Sequence, residues 1–182
     1  MKPNDVIKYP KISSLYKRDE KGNFTKEFSE DEFSLLYGIP WRGTEKVDGT
    51  QIRLVWDSED DFISVLGRTE KSQIPAFLYE RLQETAQRIL PFVRTSFCPQ
   101  YDGDKVVTVF FGEGYGTNIQ KPGKRYLSND HDFILFDVWV NGIWLRRESV
   151  VEVAHDVGLS VVPVRFYGTL SDAEETVKNG FE

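Results

Sequence analysis

Apolar and polar positions alternate with a period of two over Gln51–Trp56 and Phe62–Leu66. This predicts two paired strands joined by the acidic tip Asp57-Ser58-Glu59-Asp60. Pro75 suits the first turn of a helix. Phe77, Leu78, Leu82, Ala86, Ile89 and Leu90 follow at helical spacing, up to Pro91, where the pattern predicts the helix end. Lys105–Phe111 and Phe133–Val140 are apolar runs of strand length, and Asn141-Gly142 turns the second back into Ile143-Trp144-Leu145. A helix over 147–157, ending at Gly158, would face Val150, Val151, Ala154 and Val157 inward. A strand over Val161–Phe166 follows, and Ser171-Asp172-Ala173-Glu174 caps a last helix ending near Gly180. Residues 1–28 read as a short extended piece with a solvated loop over Lys17–Asn23. Ser29-Glu30-Asp31-Glu32 then opens a short helix closed by Gly38 and Pro40. Strands outnumber helices and often turn back directly, so the fold class is α+β with antiparallel sheets.

Composition narrows the class. The chain has 182 residues, read as one domain over 1–182, with 40% hydrophobic and 29% charged residues, as in a globular protein. Its net charge of −6 makes it a poor non-specific binder of nucleic acid, so any such contact needs a local basic patch. The single cysteine, Cys98, excludes an internal disulfide and a multi-cysteine zinc site, and no paired base motif accompanies it. His131 and His155 are isolated from other ligand types. No apolar run has the length of a membrane span, and no signal-peptide pattern opens the chain, so a cytoplasmic monomer is expected.

The candidate chemistry centres on Thr44-Glu45-Lys46-Val47-Asp48-Gly49-Thr50. By itself, Asp-Gly between β-branched runs reads as a type I′ hairpin turn, with Lys46 a solvated strand residue. Further along stand Gly67-Arg68-Thr69, then Phe110-Phe111-Gly112-Glu113, then Phe133-Ile134-Leu135-Phe136-Asp137. In that order these resemble the motifs of the covalent nucleotidyltransferases, the ATP-dependent ligases and mRNA capping enzymes. The tail Ile119-Gln120-Lys121 after Glu113 resembles the RNA ligase 2 and RNA-editing-ligase branch. Tyr9-Pro10-Lys11-Ile12 is similar to the opening of phage and bacterial members.

The resemblance implies an adenylation domain with two sheets and flanking helices around a nucleotide cleft, using ATP and Mg²⁺ or Mn²⁺ to join RNA 5′-phosphate and 3′-hydroxyl ends, as in RNA repair. Lys46 would attack the α-phosphate of ATP, releasing pyrophosphate and leaving a lysine–AMP phosphoramidate. Lysine does this only as the neutral amine, and its ordinary pKa of about 10.4 makes burial or a neighbouring cation necessary. Glu45 would lie against the adenine. Asp48 and Gly49 would set the loop, with Gly49 admitting the backbone close to the nucleotide. Gln51 would donate to the α-phosphate, whereas Arg53 reads as a strand-face charge. Arg68 would contact ribose and phosphate through its planar donors. Glu113 would accept from a ribose hydroxyl or hold a metal through water. Phe136 would stack on the purine, on the strand face opposite Phe133. Lys121, Lys124 and Arg125, beside Tyr126, form the best basic patch for RNA backbone or ATP phosphates.

Two further family motifs, a Glu-Gly-x-Val and a lysine pair, do not occur before Glu182, so the chain resembles a member cut short and is expected to be inactive alone. The alternatives are a non-catalytic nucleotide- or RNA-binding module of the same fold, and a DNA ligase or capping-type enzyme.

Overall fold

The computed structural model describes residues 7–69, 71–97 and 105–180; Cys98 lies outside them. The elements in chain order are β1 (Tyr16–Arg18), β2 (Phe24–Phe28), α1 (Glu32–Leu36), β3 (Trp41–Thr44), β4 (Thr50–Asp57), β5 (Phe62–Gly67), α2 (Ala76–Ser96) and β6 (Val107–Gly116). They continue with α3 (Gly123–Tyr126), β7 (His131–Val140), β8 (Ile143–Trp144), α4 (Arg147–Asp156), β9 (Ser160–Val161), β10 (Val164–Gly168) and α5 (Leu170–Asn179). The class is α+β: among the described residues every strand pairing is antiparallel except that of β7 with β9.

The chain forms two compact units. One runs to Tyr9 and again from Lys46 to Val162; the other takes Pro10–Glu45 and continues from Pro163. The first holds a six-stranded sheet in the order β5-β4-β6-β7-β8, with β9 beside β7. Strand alternation gives the sheet two faces. Ile52, Leu54, Trp56, Phe110, Phe133 and Leu135 point to one face and are fully buried against α2 and α4. Val55, Val107, Val109 and Phe111 point to the other, where Tyr9, Leu66, Phe136 and Trp139 pack on them. In the second unit β1 pairs with β2, and β3 pairs with β10. Glu174 of α5 accepts hydrogen bonds from the hydroxyls of Tyr16 (2.5 Å) and Tyr37 (2.7 Å).

Several boundaries differ from the sequence pattern. Pro91 lies inside α2, which runs on to Ser96; Thr95 Oγ1 donates to the Pro91 carbonyl, and the buried Ile89 and Val93 keep both turns on the sheet. Val151 is 46% exposed and Val153 takes the inward position, because Val150, Val153, Ala154 and Val157 form the i, i+3, i+4, i+7 face of a helix and Val151 lies off it. The strand expected over Val161–Phe166 is split at Val162-Pro163 into β9 and β10, proline having no N–H for a ladder. The last helix is capped by Thr169 rather than Ser171, in a capping box with Asp172. No side chain caps α1, and the Ser29 hydroxyl instead donates to the Ser14 carbonyl.

Candidate functional site

Lys46-Val47-Asp48-Gly49 is not a hairpin turn. β3 pairs with β10, β4 pairs with β5 and β6, and neither Asp48 nor Gly49 has positive φ. The segment is an irregular loop anchored by its middle. Val47 is 6% exposed and packs with Ile134 and Val162, against Tyr115, Tyr126 and Phe136. With Val47 turned in, Lys46 and Asp48 are exposed on either side of it. The Asp48 N–H donates to the Tyr126 hydroxyl at 3.3 Å, and Gln120 Nε2 donates to the Gly49 carbonyl at 3.3 Å.

Gly49 is required by close approach. A Cβ there would lie 2.3 Å from the Gly114 carbonyl oxygen and 2.8 Å from Glu113 Cγ. Gly49 thereby lets the loop close on the end of β6. It brings the loop onto Glu113, which stands directly opposite Gln51 in the β4–β6 register.

Glu113 is where the charged residues converge. Burial pushes its carboxyl up to about 7, Lys46 and Arg68 pull it down, Asp48 raises it, and the Gly49 N–H bonds to its charged form. Lys46, Asp48, Gly49, Gln51, Arg68 and Glu113, scattered over 68 positions from Lys46 to Glu113, therefore share one end of the sheet. Gln51 Nε2 is buried without a hydrogen-bond partner among the described residues. An unmet buried donor costs about 1–3 kcal/mol, so this end of the sheet is short of an acceptor.

Phe136 owes its place to a β-bulge. Phe111 pairs with Asp137 and Gly112 with Leu135, which leaves Phe136 as the extra residue of β7. Phe133 joins the buried core under α2, and Phe136 lies on the opposite face, in keeping with the expected alternation. The bulge then places Asp137 on that same face, where it accepts from the Tyr9 hydroxyl at 2.5 Å. The Tyr9 ring meets Phe136 edge-on at 4.8 Å. Phe136 is half-buried between the apolar floor of the sheet and the Val47 cluster.

Lys121, Lys124 and Arg125 are all exposed, the last two within α3, whose final residue Tyr126 ties to the Asp48 N–H. Glu45 closes the other unit. Its Oε2 accepts from Arg165 Nε (3.0 Å) and Nη2 (2.6 Å), and its N–H donates to the Pro163 carbonyl. Among the described residues no group of three or more His, Cys, Asp and Glu side chains forms a metal site. Asp48 and Glu113 together suit a magnesium-type ion, which takes one or two carboxylates and fills its remaining positions with water and phosphate oxygen. No described helix is long and apolar enough to cross a membrane.

Arg53 corrects the sequence reading. It is 2% exposed, not a surface charge; Nε and Nη2 donate to the Gly67 carbonyl at 3.1 and 3.0 Å, and Nη1 to that of Ile7 at 3.3 Å. Burial lowers its pKa from the ordinary arginine value. Neither Arg53 nor the Tyr126 contact carries a local sequence signal, since both are made to distant backbone.

A family model described as RNA ligase matches residues 39–181. Among solved structures the chain is similar to an RNA ligase of Naegleria gruberi. A variant with AMP and Mn has 22% identity and a TM-score of 0.56, over 77% of this chain and 40% of that one. A second variant, with ATP and Mn, has 22% identity and a TM-score of 0.56, over 89% of this chain and 49% of that one. The chain thus spans less than half the length of these ligases, and at such identity the likeness is one of fold. No sequence among the curated proteins matches.

Proposed function

This chain belongs to the RNA ligase family, and on that premise we propose that its first unit is a nucleotidyl-transfer centre that captures ATP and places the α-phosphate at Lys46. The observation that carries this is the convergence of Lys46, Asp48, Gly49 and Arg68 on Glu113. In the reaction the Lys46 amine attacks the α-phosphorus, a P–N bond forms, and pyrophosphate departs with the electrons of the broken P–O bond. Such transfer is mostly positioning and charge stabilisation. Arg68 supplies a fixed cation to the phosphates, and Gln51 donates its unmet N–H to an α-phosphate oxygen. Glu113 accepts from a ribose hydroxyl, and Phe136 offers the purine its ring face. A divalent cation such as Mg²⁺ or Mn²⁺, held by Glu113 through water with Asp48 beside it, would neutralise phosphate charge.

We further propose that the AMP passes to an RNA 5′-phosphate and that a 3′-hydroxyl seals the junction, with Lys121, Lys124 and Arg125 holding the RNA. A cytoplasmic location and a monomeric state go with this reading. Titration of ATP with Mg²⁺ should show one site, weakened by Arg68→Ala and by Glu113→Ala. In a longer chain that adds a Glu-Gly-x-Val segment and a lysine pair, mass spectrometry should find a single AMP, mapped to Lys46 and lost in Lys46→Ala, whereas residues 1–182 alone should bind ATP with little or no adduct; an adduct on another lysine, or no ATP binding, overturns the assignment. The competing reading, a binding module of the same fold, is favoured by the exposure of Lys46 beside the Glu113 carboxyl. It would show as ATP binding with no adduct in the longer chain.

A further inference from the structure

We propose that Arg53 is a positioning residue for nucleotide capture, acting by holding the backbone that presents Arg68. The inference rests on the nucleotide-binding reading above and adds a residue that the family motifs leave out. Arg53 sits mid-strand in β4, on the face whose neighbouring positions are Val55, Val109 and Phe111. An apolar side chain would fill such a position without taking a charge from water. Instead a guanidinium closes on the Gly67 carbonyl with two donors and reaches the Ile7 carbonyl with a third. Gly67 ends the edge strand β5, and Arg68 follows it directly.

Gly67 also pairs with Ile52 in the ladder, and beyond it the described residues of the turn are held by Ser72. Ser72 Oγ accepts from the Thr69 N–H at 2.9 Å, and the Ser72 N–H donates to the Thr69 carbonyl at 3.0 Å. Packing leaves one side of the turn uncovered, where an open cleft of about 260 Å³ lies beside Arg53, Leu66, Gly67, Thr69, Ser72 and Ile74. The exposed Arg68 side chain is therefore aimed by the carbonyl before it, and the Arg53 fork fixes that carbonyl. A lysine in the same place has a point charge and no rigid fork. Arg53 spends these donors inward and has no need to touch the nucleotide.

The test is a cycle of variants in the full chain, each checked for cooperative melting. Arg53→Met and Arg68→Ala should each weaken ATP by roughly ten- to a hundredfold, the scale of one charge-assisted hydrogen bond. If Arg53 acts through Arg68, the double variant should be no weaker than Arg68→Ala alone; losses that multiply overturn the proposal. Arg53→Lys, the milder replacement should Arg53→Met fail to fold, should retain the fold and still lose most of the affinity. Unchanged ATP affinity with a lower melting temperature would reduce Arg53 to a purely structural role. A wild-type chain that binds no ATP defeats the nucleotide reading instead. In that event amide exchange decides: Arg68 and Thr69 should exchange faster in Arg53→Lys while the core of α2 is unchanged, and unaltered exchange there overturns the positioning role.

Discussion

At the scale of single residues, Glu113 carries the sharpest consequence. Its folded-state pKa of about 7 lies above the ordinary 4.5, so the folded chain holds this proton more tightly than the unfolded chain. The associated stability is fully present below pH 4.5 and is lost as pH rises through about 7. That interval corresponds to at most roughly 3 kcal/mol, less what solvent screens at a half-buried position. Glu113→Gln should therefore flatten the fall in stability between pH 5 and pH 8 and gain on the wild type at pH 8. Urea unfolding at the two values checks this, and parallel slopes for both proteins would refute the assignment. The neighbours fix further signs. Lys46→Met should raise the Glu113 pKa and Asp48→Asn should lower it, both readable from the side-chain carboxyl carbon by NMR. Phe136 makes a separate prediction. A stacked base at single-stranded sites is worth about 1–3 kcal/mol, so Phe136→Ala should weaken ATP by that amount. Stacking is indifferent to purine type, so Phe136→Ala should weaken GTP equally, as measured by paired titrations.

At the scale of elements, the site depends on a loop that the local sequence misrepresents. Val-Asp-Gly between β-branched runs has the text of a hairpin, and nothing in the seven residues says that the flanking strands pair elsewhere. Partner choice is a long-range property: β3 takes β10 more than a hundred residues on, and β4 takes β6. The order of the motifs singled out Lys46, Arg68 and Glu113, and the fold sets Lys46 and Arg68 within electrostatic reach of Glu113. That order did not anticipate the bulge at Phe136, the fork of Arg53 or the Tyr126 bond, each of which is set by backbone at a distance. The period-two pattern found β4 and β5 and the apolar runs found β6 and β7, whereas Pro91 misled because tertiary packing outweighs the helix-ending tendency of proline. The loop's dependence on Gly49 is testable. Gly49→Ala places a Cβ 2.3 Å from a backbone oxygen of β6, which cannot rotate aside. Overpacking of this kind costs about 1–3 kcal/mol. The variant should melt lower and lose ATP affinity as the loop lifts from Glu113, and a chain unchanged in both measurements would remove the loop from the site.

At the scale of the whole molecule, a net charge of −6 opposes the association with RNA that the proposed function requires. Local basic groups must overcome that repulsion, and in the first unit the exposed group next to the Lys46 loop is Lys121, Lys124 and Arg125. Single-stranded RNA releases counterions as phosphates are neutralised, and its affinity falls with salt with a log–log slope near −0.7 per phosphate contact. If these three side chains each meet one phosphate, replacing all of them with alanine should reduce the slope by roughly 2 in magnitude. ATP should bind the triple variant almost unchanged, because Arg68, Gln51 and Glu113 remain. Fluorescence anisotropy of a short 5′-phosphorylated RNA between 50 and 200 mM salt is the measurement, with a parallel ATP titration. A slope that stays at its wild-type value would place the RNA on another surface. A loss of ATP affinity as large as the loss for RNA would mean that the patch serves the triphosphate of ATP rather than the RNA backbone.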